Sequence, residues 1–279
     1  MRMLPLSTLV AAALALPVTA QTIDRITETG ELRLGYRIDA APLSFADEAG
    51  LPAGYSVLLC AEIAQGIANA LKMEELNADF FAISPTDRFD KVAAGEIDLL
   101  CGAATITLGR RALVDFSIPT FVDGAALMLP ADAPGQFADL KGKRIGVRGA
   151  TTTEEALNNS LTRSGIEAEV VAFDAHDQGM EAMKAGEIDA YFADQSILLY
   201  LQATSGAHND FKVSNEILSI EKQGLALARG DTDFRLMVDS IVSELYKNGK
   251  MEEIFATTMP GATAGNALRA LHLIAPTLP

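Results

Sequence analysis

Ala94-Gly95-Glu96-Ile97-Asp98 recurs as Ala185-Gly186-Glu187-Ile188-Asp189. Residues 88–94 before the first copy read as helix, and residues 97–101 read as a strand. Residues 179–185 and 188–193 give the same pair around the second copy. In each, the glycine suits the left-handed position that ends a helix. One helix–Gly–strand setting met twice predicts two similar α/β units.

The flanking sequence extends both units. Residues 31–38 alternate like a strand, and residues 55–71 place Val57, Leu58, Ile63, Ile67 and Leu71 at helical spacing. Residues 80–83, 124–129, 143–147, 170–173 and 224–228 read as further short strands. Residues 130–134 form a polar, proline-bearing break. Residues 151–163 begin with Thr and Glu, a helix-capping pattern, and residues 231–247 read as a long amphipathic helix. Helices alternating with apolar strands predict mostly parallel sheets. The Gly/Ala-rich tail after Pro260 has no assigned role.

Composition narrows the function classes. With 22 basic and 37 acidic residues among 279, the formal charge is −15. Nucleic-acid binding needs a basic footprint, and anionic lipid surfaces also select basic proteins, so both are excluded as partners. Hydrophobic residues make up 49%, enough for a packed core and incompatible with a disordered polyanion.

The first twenty residues read as an export signal. Arg2 supplies the positive start, residues 4–16 the apolar run, and Val18-Thr19-Ala20 the small residues before cleavage at Gln21. The apolar run falls short of the roughly 20 residues needed to span a bilayer. No cysteine follows for a lipid anchor, and no later stretch is apolar enough to insert. A soluble, exported, monomeric protein is expected. Export permits a disulfide between Cys60 and Cys101; two buried free thiols read these residues equally well.

No G-x-S-x-G, H-E-x-x-H, C-x-x-C or phosphate loop is present. His208 and His272 have no partners at metal-ligand spacing, so neither metal nor cofactor is expected. These observations favour ligand binding over catalysis.

Several ordered blocks resemble the exported amino-acid-binding proteins of ABC importers, the family 3 solute-binding proteins. They are Ala41-Pro42-Leu43-Ser44-Phe45 with Gly54-Tyr55-Ser56; Gly95-Glu96-Ile97-Asp98 through Thr105-Ile106-Thr107 to Arg110; Val114-Asp115-Phe116-Ser117; Leu140-Lys141-Gly142-Lys143-Arg144-Ile145-Gly146-Val147; Ala150-Thr151-Thr152; and Asp189-Ala190-Tyr191-Phe192-Ala193-Asp194. Gly35-Tyr36-Arg37, Arg88, Cys101-Gly102 and Ala175-His176-Asp177 look like the glutamate/aspartate-binding branch. The resemblance implies a periplasmic protein with the two-lobed type II α/β fold and a ligand cleft between lobes. Two crossing strands would join the lobes near Gly124 and Ile220. Residues 21–123 and 222–279 would form the first lobe and residues 124–221 the second. A membrane ABC permease would be the partner.

The same resemblance assigns the site. Arg110, whose planar fork can donate two hydrogen bonds to a carboxylate, would hold the ligand's α-carboxylate with the Thr105 hydroxyl. Thr151 and Thr152 open a helix whose free N–H groups suit the same anion. Asp194 would take the ammonium. Arg37, Arg88 and His176 match the positions for a second carboxylate, His176 donating more strongly if protonated. Ala103 would contribute its carbonyl. Structural alternatives remain at each: a solvated Arg110–Arg111 pair, simple capping by Thr151 and Asp194, an exposed Arg37, a helix-start His176. Pro85, Ala103 and Leu108-Gly109 depart from the branch pattern, so pocket size is expected to differ. The rival function is an exported cyclohexadienyl dehydratase on the same fold, with His176 or a cleft glutamate as general acid.

Overall fold

The computed structural model describes residues 22–276 and Leu278; the expected export signal lies outside the described residues. Two five-stranded sheets dominate. The first runs Asn77–Ile83, Glu31–Arg37, Leu99–Cys101, Ala226–Ala228, Val114–Phe116. The second runs Glu169–Phe173, Arg144–Arg148, Ala190–Asp194, Ala125–Pro130, Phe211–Val213. In each, the first three strands are parallel and the fourth is antiparallel to both neighbours. The first sheet receives its fourth strand only after the chain has built the second. An antiparallel ribbon, Phe121–Asp123 against Glu221–Gln223, carries the chain across and back. The protein has the two-lobed α/β architecture that the sequence predicted.

The duplicated pentapeptide works as a rivet in each lobe. Helix Arg88–Ala93 ends with Gly95 at φ +69°, Gly95 N donating to Val92 O and Glu96 N to Lys91 O. Helix His176–Lys184 ends identically, with Gly186 at φ +68° and bonds from Gly186 N to Met183 O and Glu187 N to Ala182 O. This paired bond pattern satisfies the last carbonyls of a helix, and it needs a residue that tolerates positive φ. The aspartates then tie each unit to the middle of its three parallel strands. Asp98 accepts from Arg33 N, and Asp189 from Arg144 N, both at 2.8 Å. The isoleucines close the joint by packing where that strand has only a glycine. A Cβ on Gly35 would lie 2.6 Å from Ile97 Cδ1, and one on Gly146 would lie 2.5 Å from Ile188 Cδ1.

Alternating side chains of each sheet feed separate apolar clusters on its two faces. Leu32, Leu34, Ile63, Ile67, Phe234 and Val238 pack on one face of the first sheet, and Ile83, Val92, Leu100 and Phe116 on the other. In the second, Met180, Tyr191 and Ile197 gather on one face, and Val147, Leu157 and Phe192 on the other. Each such fully buried aliphatic or aromatic side chain contributes roughly 1.5–3 kcal/mol. The helix at Tyr55–Leu71 falls where its periodicity placed it. The tail left without a role forms helix Asn266–Ile274, whose Leu268 and Leu271 enter the first lobe's core. Cys60 and Cys101 are disulfide-bonded with Cα atoms 6.1 Å apart, tying that long helix to the sheet and settling the choice left open above. No helix among the described residues is long and apolar enough to cross a membrane.

Candidate functional site

The parallel strands end at a shared crevice, where ligands of open α/β sheets collect. Arg37 closes the middle of the three parallel strands of the first lobe, and Asp194 ends a strand of the second. Arg88 and His176 start their helices, and Thr151 caps the helix that Thr152 begins, its hydroxyl accepting from Glu154 N. Together with Ala103, Thr105 and Arg110, these residues line one cavity, joined there by Ala40, Thr153 and Ile197. All nine residues expected at the site thus converge. The cavity encloses only about 20 Å³, so the lobes are shut on each other. A larger groove of about 660 Å³, lined by Phe121, Leu199, Ile217 and Met259 among others, includes none of the nine.

Two guanidiniums face the cavity without a carboxylate within 4 Å among the described residues. Arg88 and Arg110 both lie against the Phe89 ring, at 4.7 and 5.0 Å from its centroid. Arg110 donates to Thr105 O at 2.8 Å, and Arg88 to Pro85 O, while Arg88 Nε is buried with no partner. Burial, then Arg110, Arg37 and Arg148, lower the Arg88 pKa to about 9. Burial also lowers that of Arg110. Cations held this way have a large unmet demand for an anion. Arg111 is exposed, whereas Arg110 is half-buried against Phe89 and bonded to Thr105 O, so the two are not an ordinary solvated pair.

Opposite them sits an acidic, hydroxyl-rich wall. Asp194 accepts from Thr153 Oγ1 at 3.0 Å and from Gln223 Nε2 at 3.1 Å. Burial, then Asp123 and Glu221, hold its carboxyl well above the ordinary range. Its side chain makes no helix cap, so the capping alternative falls. Glu221, on the crossing ribbon, accepts from Thr105 Oγ1 at 2.5 Å and Thr152 Oγ1 at 3.1 Å. One hydroxyl from each lobe therefore meets on a hinge carboxylate, and the two lie 3.1 Å apart.

The side-chain end of the cavity differs from expectation in two ways. Arg37 is 3% exposed, which removes the surface-strand alternative. Yet it is not a free cation, because its Nε donates to Asp39 Oδ1 at 2.7 Å. Arg37 Nη2 lies 2.5 Å from the same oxygen as an ion pair, off the hydrogen-bonding direction. Asp39 Oδ2 accepts from Arg148 Nε of the second lobe at 2.8 Å. His176 is buried, its Nδ1 3.0 Å from the Tyr191 hydroxyl. Burial, then Arg37, lowers its pKa to about 3. Burial and the neighbouring arginines thus favour the neutral imidazole, the weaker of the two donor states that the sequence left open.

Sequence reasoning missed Asp39, Arg148, Tyr191, Glu221 and Gln223. A signal existed for Arg148. Residues 33–37 read Arg-Leu-Gly-Tyr-Arg and residues 144–148 read Arg-Ile-Gly-Val-Arg, so Arg37 and Arg148 occupy equivalent positions of the internal repeat. The hinge residues carried no comparable pattern.

Fold and site together define a two-lobed binding protein with its cavity between the lobes. The chain belongs to the bacterial extracellular solute-binding proteins, family 3, whose model matches residues 32–259. It is 30% identical over 253 residues to an L-glutamate/L-aspartate-binding protein of Pseudomonas aeruginosa, covering 88% of this chain and 84% of that one. A glutamate/aspartate import solute-binding protein of Escherichia coli is 24% identical, over 86% of this chain and 80% of that protein. Among solved structures, a mutant of ArgBP from T. maritima matches with TM-score 0.73 and 28% identity, over 84% of this chain and 97% of that one. The chain is thus a solute-binding protein of the kind that serves amino-acid ABC importers.

Proposed function

We propose that this protein captures an acidic amino acid, glutamate or aspartate, in the periplasm and hands it to a membrane ABC permease. The observation that carries the acidic preference is the pair of guanidiniums, Arg88 and Arg110, left without carboxylate partners at one cavity. One serves the α-carboxylate shared by all amino acids; the second suits another carboxylate. Arg110, Thr105 and the Thr152 helix start take the α-carboxylate, and Asp194 takes the ammonium. Arg88, His176 and Arg37 face the side chain, and the Ala103 carbonyl completes the wall. The glutamate/aspartate relatives support the same ligand class.

Residues 21–123 and 222–279 act as one jaw and residues 124–221 as the other, in a monomer. Because the shut cleft holds about 20 Å³, an amino acid enters only when the jaws part. Closure then returns Arg110 and Asp194 to opposite ends of the zwitterion, so ligand stabilises the closed form. No turnover is proposed. His176, one group a dehydratase would use as general acid, is held unprotonated. Glu221, the other, accepts hydrogen bonds from three hydroxyls.

Calorimetric titration of the mature protein with Glu, Asp, Gln and Asn tests the reading. Tighter binding of the acids than of their amides is expected. Equal affinity for Glu and Gln refutes the second-carboxylate assignment. Turnover of prephenate or arogenate would establish the enzyme instead.

A further inference from the structure

Arg37 and Arg148 end equivalent strands of the two lobes and point at one carboxylate, Asp39. The three side chains form one chain through the carboxylate, with Arg37 Nε to Asp39 Oδ1 at 2.7 Å and Arg148 Nε to Asp39 Oδ2 at 2.8 Å. Arg148 is anchored from behind, its Nη1 donating to Gly149 O at 3.2 Å and Phe173 O at 3.3 Å. Burial opposes the Asp39 charge, but Arg37 and Arg148 more than reverse this and bring its carboxyl below the ordinary value. The neighbouring backbone is equally committed to the second lobe. Ala40 packs into that lobe's core cluster with Met180 and Tyr191, and Phe45 meets Tyr200 at 5.8 Å between ring centroids. Asp39 itself does not line the cavity, whereas Arg37 does.

We propose that Asp39 is a specificity-determining positioning residue that acts through Arg37. Its fixed negative charge compensates Arg37 and, with Arg148 across the cleft, sets how strongly the side-chain end of the cavity favours an acid over its amide. The inference rests on the acidic-ligand reading of the same cavity. An uncompensated Arg37 would add its full attraction to a ligand carboxylate. With Asp39 in place that attraction is largely spent internally, and Arg88 does most of the discrimination. Arg148 modulates the balance from the other side, since it draws on the same carboxylate. The two partners of this ion pair therefore shift selectivity in opposite directions, although losing either breaks the same bond. A purely structural pair would not behave so.

The test is the ratio Kd(Gln)/Kd(Glu), repeated for Asn and Asp, by calorimetry on the mature protein. Asp39→Asn removes the counter-charge and should raise the ratio on the order of tenfold. Arg148→Gln leaves Asp39 more negative towards the cavity and should lower the ratio by a similar factor. Asp39→Glu should keep it near the wild-type value. If either single variant fails to fold, the double variant Asp39→Asn/Arg148→Gln, in which Arg37 loses its counter-charge, should still show a ratio above wild type, and a ratio at or below wild type overturns the proposal. Ratios that stay fixed while both affinities fall, or that move the same way in both single variants, overturn the proposal. A wild-type ratio of one sinks the acidic reading alone, because the Asp39 inference lies in the change. Failure of the wild type to bind all four ligands overturns both.

Discussion

His176→Gln should flatten the acid limb of the stability curve. The imidazole is 6% exposed, touches Tyr191 and has its pKa lowered to about 3 by burial and by Arg37. In the unfolded chain it titrates near 6.5. Between those values the unfolded state binds a proton that the folded state refuses, so folding stability falls as pH falls. Its full benefit is present above about pH 6.5. Each pH unit below that costs about 1.4 kcal/mol, or about 2.7 kcal/mol by pH 4.5. Urea denaturation at pH 7.0 and 4.5, for wild type and variant, isolates this contribution, because every other titrating group is common to both. The wild type should lose about 2.7 kcal/mol more than the variant over that interval. The variant's absolute stability will also drop with loss of the Tyr191 bond, but only the pH-dependent difference matters. Parallel acid limbs would show that the imidazole charges freely in the folded state, and the dry two-arginine environment would be wrong.

Other outcomes follow from the same geometry. Arg110→Ala should weaken binding of every amino acid by at least about a hundredfold in calorimetry, since it unpairs the ligand's α-carboxylate in a desolvated site. Asp194→Asn should weaken ligand binding at least tenfold yet raise the ligand-free melting temperature at pH 7. Its carboxyl titrates well above the ordinary range, so ionising it costs stability as pH rises. Cys60→Ala with Cys101→Ala should cost about 4 kcal/mol in urea denaturation, the chain-entropy value for a bridge closing 41 residues. Gly179→Ala should cost about 1–3 kcal/mol by overpacking. Its Cβ would lie 2.2 Å from Tyr191 Cε2, and the displaced ring should release His176, seen as a raised imidazole pKa by NMR.

Much of this fold was legible because short-range rules decide it. The Gly95 and Gly186 helix stops, the Tyr55–Leu71 periodicity and the Thr151 cap are local, and the sequence reports local physics directly. Strand limits were less sharp: residues 224–228 read as a strand, but only Ala226–Ala228 joins the ladder, because Gly224 N bonds Ala104 O and Leu225 bonds Ser117 instead. The tail helix was not legible, since its Gly/Ala-rich approach carries no periodic signal and only tertiary packing of Leu268 and Leu271 defines it. At the site, resemblance located the cavity-lining residues, but not their state of charge compensation. Asp39 lies two residues from Arg37 and 109 from Arg148, and nothing in the chain order announces that three-centre pairing. The neutrality of His176 follows from that same arrangement in space.

The central claim is that opposed lobes grip the two charged ends of an amino acid. A crystal structure of the mature protein grown with saturating glutamate tests it most directly. The α-carboxylate should lie within hydrogen-bonding distance of the Arg110 guanidinium, the ammonium on Asp194 and the distal carboxylate on Arg88. Glutamate absent from the cleft, or Arg110 turned to bulk solvent with ligand bound elsewhere, would contradict it.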